Sequence, residues 1–354
     1  MMWAPLVNNL VAIAGGVGFF ALFAVDPEAP TSLSDAEIAF LGLGTTLGVG
    51  LQAMVLVPVL RRNGFRYRPR LDFRGVGLGK AGDLAKWTLL FVLVNQLAYV
   101  VIVNLATGVD QAANGVIPYG VGFTAYTNAY LIFILPHSII TVSVATGLLP
   151  RMSDAAADGR LAGVRDDLAK GWRLTAVGIV AATAAFLSLG PDLAGVLYAG
   201  GKVGPEGARY IGLVLAAFAV GLPAFSAQYL TLRGFYALED TRTPFLLQVG
   251  TAAVNVALAV TAYSVLPLRW QIAGMAAAYA VTYYLGLGLS TAMLRRRIGP
   301  LHGREVVRTH WRLVMAAAPS AAAAFGLAWL VGRALGDGAM GSLASLAAGG
   351  TVLL

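Results

Sequence analysis

The side chains able to do chemistry in this chain are amides, phenols and one histidine, all set inside long apolar runs. Asn95, Gln96, Asn128, Tyr130, His137, Gln228 and Asn255 lie in such runs, as do Asn8, Asn9, Gln52, Asn104, Gln248 and the tyrosine pairs Tyr126/Tyr130 and Tyr283/Tyr284. Amides and phenols donate and accept hydrogen bonds without carrying charge. They can grip a polar headgroup in an apolar wall, or tie one helix to another at about 0.6 kcal/mol each. His137 follows Pro136 directly; an imidazole there can relay a proton or line a wet cavity. Pro136, Pro150 and Pro223 interrupt or end the helices that carry these groups. Such breaks suit a transporter that rocks between two openings, and they also occur as ordinary kinks.

Other chemistries are excluded. The chain has no cysteine, which removes disulfides and thiolate metal sites. Its histidines, His137, His302 and His310, have no ligand spacing. No Ser/His/Asp set or carboxylate pair falls in a plausible pocket. GVGLGKAG (75–82) has glycines near a lysine, but no strand precedes it, so a phosphate-binding loop is not expected. No catalytic residue, cofactor or metal is expected, and the chain is read as moving a substrate and not converting it.

The elements that must position these groups are membrane helices. Hydrophobic residues make up 58% of the chain and charged residues 12%, against roughly 25% charged in a soluble domain. Apolar runs of bilayer length recur at 3–25, 38–60, 84–107, 121–150, 172–190, 208–232, 244–266, 271–294, 312–333 and 339–354. Their backbone groups must pair internally, and the lack of two-residue alternation selects helices over a barrel. The fold class is an all-α integral membrane protein with about ten transmembrane helices. Within it, GLGTTLG (42–48) is expected to form a close helix-packing face.

Charge sets the orientation. The net charge is +8, and 21 of the 25 Lys and Arg residues fall in alternate loops. The opposite loops hold only Lys202, Arg209, Arg269 and Arg333. The positive-inside rule places the basic set, and both chain ends, on the cytoplasmic side of the cell membrane, and explains the charge without nucleic acid. The stretch 61–86 mixes basic residues with Phe65, Tyr67, Leu71 and Phe73. It reads equally as a solvated linker or as an interfacial segment drawn to anionic membrane lipids.

A weak repeat pairs LGVGLQAMVLVPVLRRNG (47–64) with YLGLGLSTAMLRRRIG (284–299). It divides the chain into 1–60, the last two helices of a first lobe; 61–86, a cytoplasmic interlobe linker; 87–294, a six-helix second lobe; and 295–354, two further helices. On this reading the first lobe is incomplete, with about four helices expected ahead of Met1. The last helix is expected to continue beyond Leu354.

Two segments carry a resemblance. GFTAYTNAYLIFILPHSIITVSVATGLLPRMS (122–153) has a tyrosine-rich start, a mid-helix proline and an LLPRMS exit. LRGFYALEDTRTP (232–244) carries Arg233, Tyr236, Asp240 and Pro244 between two apolar runs. With APLVNNLVAIAG (4–15), these resemble the eighth helix, tenth-helix turn and fifth helix of the MurJ/MviN family of lipid II flippases, within the multidrug and polysaccharide exporter superfamily. The resemblance covers essentially the whole chain, N-terminally truncated at the family's fifth helix. It implies a two-lobed bundle around a cavity that flips the undecaprenyl-pyrophosphate-linked peptidoglycan precursor by alternating access. It also implies a lipid-tail groove formed by 312–333 and 339–354. Asn95, Gln96, Asn128, Tyr130, His137, Gln228 and Asn255 are then candidates for the cavity. Pro136, Pro150, Arg233, Tyr236, Asp240 and Pro244 are structural motif residues, with Arg233 and Asp240 able to pair and Thr243–Pro244 able to start the next helix.

Two family features have no counterpart here. A substrate-pairing arginine of the eighth helix falls at Leu131. The acidic sodium ligands fall at Ile102 and Ala259, leaving only Asn255, so no sodium site is expected. The fragment is therefore expected to be inactive alone. Alternatives are a polysaccharide-lipid or drug exporter of the same superfamily, or a non-transporting scaffold for cell-wall synthesis proteins.

Overall fold

The computed structural model describes residues 4–23, 34–64, 78–201, 203–336 and 338–353. All regular elements among them are helical: α1 (Ala4–Leu22), α2 (Asp35–Arg62), α3 (Leu78–Ala113), α4 (Phe123–Pro136), α5 (Val142–Ala157), α6 (Leu161–Tyr198), α7 (Gly204–Ala219), α8 (Leu222–Ala237), α9 (Arg242–Val265), α10 (Leu268–Ile298), α11 (Gly303–Leu335) and α12 (Ala339–Leu353). Among the described residues, seven spans are long and apolar enough to cross a membrane, or eight if the bent pair α7–α8 is one span. α1 and α12 are shorter apolar helices, so the expected count of ten is not reached by this measure. Large apolar side chains such as Leu89 (68% exposed), Val177 (58%) and Trp329 (52%) point outward, a surface suited to hydrocarbon and costly in water. The chain is a multi-pass membrane protein.

The chain divides into two compact units, Met1–Val76 and Gly77–Leu354. In the first, α1 and α2 pair through Phe19, Phe23 and Phe40. α2 starts on a capping box in which Ser34 Oγ accepts from the Glu37 amide and Glu37 accepts from the Ser34 amide. Of the GLGTTLG glycines, Gly48 alone is in close contact, with Asn8 of α1; an added Cβ at Gly42 or Gly44 would meet nothing within 4 Å. The expected packing face thus narrows to one residue. Half of the interlobe stretch, 65–77, lies outside the described residues.

The second unit builds its core on fully buried Phe133, Phe218, Phe235 and Met152. α6 and α7 cross backbone to backbone: a Cβ on Gly212 would sit 2.4 Å from Pro191 Cα. Only small residues permit this approach. Two helices are broken beside the core. Pro136 has no N–H to donate, and the next turn, His137–Thr141, widens to a π-turn. α7 and α8 bend by 47°, with Pro223 in the first turn of α8. Pro150 stays inside α5 and does not end it.

The repeated Arg-then-Gly pattern is a shared helix ending. α2 closes on Arg61–Arg62 with Gly64 at φ +81, and α10 on Arg295–Arg297 with Gly299 at φ +88. Cations meet the negative helix end and glycine takes the left-handed turn. At the same end of the second unit, Arg151 pairs with Asp167 (2.8 Å), Arg297 with Asp240 (2.5 Å) and Arg173 with Glu305 (3.5 Å). His302 meets Asp166 at 2.9 Å. These contacts gather the α5–α6, α8–α9 and α10–α11 connections into one basic face.

Candidate functional site: a tyrosine-lined cavity

Five helices of the second unit, α3, α4, α8, α9 and α10, enclose a cavity of about 680 Å³. α3 contributes Asn95, Gln96, Tyr99 and Ile102, and α4 contributes Tyr126, Tyr130 and Leu131. α8 turns Phe225, Gln228, Tyr229, Arg233 and Tyr236 to it, a face repeating at helical intervals. Gln248 and Asn255 come from α9, Tyr279 and Tyr283 from α10.

The aromatic rings form a connected wall. Tyr279 and Tyr283 lie 4.6 Å apart between centroids, Phe225 stands edge-on to Tyr283 at 4.8 Å, and Tyr130 meets Tyr279 at 6.0 Å. Edge-to-face pairs of this kind hold ring positions beyond simple area burial. Polar atoms punctuate the wall. Gln248 donates to Asn95 Oδ1 across α9 and α3 at 3.3 Å. The side-chain oxygens of Gln228 and Asn255 are buried without a hydrogen-bond partner. Unpaired buried acceptors are costly; both residues line the cavity, but the Gln228 oxygen itself packs against Gly286 within the α8–α10 wall.

Among the described residues lining the cavity, Arg233 alone is charged. Its guanidinium lies over Tyr229 (4.4 Å to the ring centroid) and Tyr236 (5.5 Å) and donates to the Tyr229 hydroxyl. The ring faces favour the cation without neutralising it, so its positive charge stays available to an anion.

The amides Asn95, Gln96, Gln228 and Asn255 and the phenol Tyr130 are brought together in this one space, whereas Asn128 and His137 do not line it. His137 is packed behind the wall against Phe225 and Tyr229, with Nδ1 3.1 Å from Ser226 Oγ. Asn104 turns its amide back to Val100 O of its own helix. Leu131 and Ile102, the uncharged positions singled out by the family resemblance, both line the cavity.

The 232–244 turn differs from expectation. Arg233 does not pair with Asp240, because it sits on the cavity face of α8 among its own tyrosines. Asp240, beyond the helix end, pairs with Arg297 and accepts from the Thr243 amide at 2.9 Å. Arg297 also donates to Thr243 Oγ1 at 3.0 Å. Pro244 does fall in the first turn of α9, which begins at Arg242. Arg233 and Tyr236 are thus cavity residues that the motif reading assigned to a turn. The signal was present in Phe225, Tyr229, Arg233 and Tyr236, spaced as one helix face.

Comparison with known proteins agrees with this architecture. The family model for the lipid II flippase MurJ matches residues 1–349. A protein of Rhizobium meliloti (strain 1021) named probable lipid II flippase MurJ is 30% identical over 346 residues, covering 92% of this chain and 59% of its own length. A Thermotoga maritima protein of the same name is 26% identical over 262 residues, covering 73% of this chain and 50% of its own. A solved structure of a lipid II flippase MurJ in an inward closed conformation superposes with a TM-score of 0.65 at 16% identity. That match covers 99% of this chain and 65% of the solved one, and speaks for the fold alone. The chain spans between half and two thirds of the length of these proteins.

Proposed function

Because the chain belongs to the lipid II flippase MurJ family, we propose that it takes part in moving lipid II, the polyprenyl-diphosphate-linked peptidoglycan precursor, across the cytoplasmic membrane. The observation that carries this reading is the lone guanidinium of Arg233 in a neutral, tyrosine-lined cavity. A diphosphate is the part of such a lipid that an unneutralised arginine selects, through charge-assisted bonds in a fixed fork. The sugar and peptide groups meet the tyrosine faces and the amides of Asn95 and Gln96. A volume near 680 Å³ lies within the range of about 300–1,000 Å³ typical of cavities that take small ligands or headgroups.

Alternating access is supported by the broken helices. The π-turn after Pro136 and the 47° bend between α7 and α8 both adjoin helices that form the cavity wall, as discontinuous helices do in transporters. The basic face supports a cytoplasmic position for that end of the second unit and the C-terminal chain end, and Arg61–Arg62 at the end of α2 separately support one for the N-terminal chain end. The full translocation cycle is proposed for the length that the relatives span, so binding is the property to test on this chain.

The test is a binding titration of the purified full chain with a polyprenyl-diphosphate disaccharide in detergent. Arg233→Gln is expected to weaken binding about tenfold, the loss of one charge-assisted bond. Arg233→Lys should recover part of it, since lysine keeps the charge but not the fork. Affinity unchanged in Arg233→Gln, or equal binding of the uncharged polyprenol, would sink the proposal.

A further inference from the structure

A second hollow of about 1350 Å³ lies across the α8–α10 wall from the cavity; α11, one of the two helices that the family resemblance assigns to a lipid-tail groove, lines it, while α12 does not. It is a groove between α6, α8, α10 and α11. On α8, Ala224 and Ala227 face the groove while Phe225 and Gln228 face the cavity; on α10, Tyr284, Leu287 and Gly288 face the groove while Tyr279 and Tyr283 face the cavity.

The groove has two chemistries. Its depth is apolar, lined by Trp172, Val180, Leu287, Trp311 and Val314. Its mouth lies on the basic face and carries Arg165, Arg295 and Arg304. Two carboxylates also line the mouth, but each is engaged: Asp166 with His302 at 2.9 Å and Glu305 with Arg173 at 3.5 Å. Among the described residues none of the three arginines has an ion-pair partner, and the Nε of Arg165 is buried with no hydrogen-bond partner. From Arg165 to Val180 the groove follows α6 for about 22 Å, at 1.5 Å per residue. That depth exceeds one leaflet of a hydrocarbon core about 30 Å thick, leaving room for chains below and a headgroup above.

We propose that this groove is a binding site for an anionic glycerophospholipid of the leaflet at the basic face. Its phosphate is held by Arg165, Arg295 and Arg304, and its acyl chains lie between α6, α10 and α11. A zwitterionic lipid fits the same walls but brings its own cation to a mouth that is already positive. The occupant is a resident lipid and not the transported one, so the site stands whether or not the cavity binds a diphosphate.

The experiment equilibrates the purified full chain with mixed micelles of equal phosphatidylglycerol and phosphatidylcholine, followed by counting of retained lipids by native mass spectrometry. The wild type should retain phosphatidylglycerol over phosphatidylcholine by about tenfold. The triple variant Arg165→Gln/Arg295→Gln/Arg304→Gln should retain both equally. Gly288→Trp, at a position where an added Cβ meets nothing within 4 Å, should fill the groove and lower retention of both lipids. Should the triple variant fail to fold, the exposed Arg304→Gln alone should cut the preference about two- to threefold. Equal retention of the two lipids by the wild type, or retention unaltered by Gly288→Trp, overturns the proposal. So does displacement of phosphatidylglycerol by stoichiometric polyprenyl diphosphate, which would assign the groove to the cargo.

Discussion

The cavity and the groove share the α8–α10 wall and handle positive charge in opposite ways. In the cavity one guanidinium, that of Arg233, is wrapped by Tyr229 and Tyr236. In the groove three guanidiniums stand at the mouth without an ion-pair partner among the described residues. The difference follows from the neighbours each face supplies. On α8, Tyr229 and Tyr236 stand about one helical turn either side of Arg233, so the protein itself supplies the cation's partners. A cation at the interface can leave that task to lipid phosphates, at about 1 kcal/mol per arginine. An aromatic wrap preserves the charge for a transient anion, whereas bare arginines suit a lipid that stays.

The sharpest way to separate the two hollows uses two glycines on α10. A Cβ on Gly286 would lie 2.5 Å from Gln228 Oε1 and 2.7 Å from Thr251 Cγ2, while one on Gly288 meets open space. Gly286→Leu is therefore expected to overpack the wall and cost about 1–3 kcal/mol. Gly288→Leu should change stability by less than about 0.5 kcal/mol. Unfolding of both variants in mixed detergent micelles checks this. Equal losses would mean that α10 does not divide the two spaces as described.

A second substitution makes the cavity more like the groove. Leu131 lines the cavity and is 53% exposed, so a longer side chain there has room. Leu131→Arg should add a second cation to the cavity lining and raise affinity for a polyprenyl diphosphate about tenfold. Phosphatidylglycerol retention in the groove should not change. Titration of both ligands against one preparation measures the two effects together.

These particulars also mark how much was legible in the sequence. Asn95, Gln228 and Asn255 stand out in a linear reading because a buried amide is costly and rare in an apolar run. The helices themselves come from run length, although α1 and α12 fall short of a full span. Arg233 was harder, since a cation at a helix end reads first as a topology signal, and only the α8 face shows that it points inward. His137 depended on tertiary packing: its ring lies against Phe225 and Tyr229 and meets Ser226 Oγ at 3.1 Å, behind the wall. The groove was invisible, because Arg165 and Arg304 lie on helices far apart in the chain and only their packing brings them to one mouth.

The smallest effect tests whether the groove's charge balance is as finely set as its geometry. Glu305 lines the mouth but pairs with Arg173 at 3.5 Å, with both side chains largely in solvent. An exposed pair of this kind contributes about 0–1 kcal/mol to stability, so Arg173→Gln should leave the fold essentially intact. It should, however, free a carboxylate beside Arg165 and Arg304. Repulsion from that carboxylate should lower the preference for phosphatidylglycerol over phosphatidylcholine about twofold, and added salt should erase the difference by screening. Arg173→Gln/Glu305→Gln should restore the preference, because it removes the carboxylate that the single variant releases. A preference unmoved by the single variant would mean that Glu305 does not sense the bound headgroup, and the phosphate would have to sit nearer Arg295.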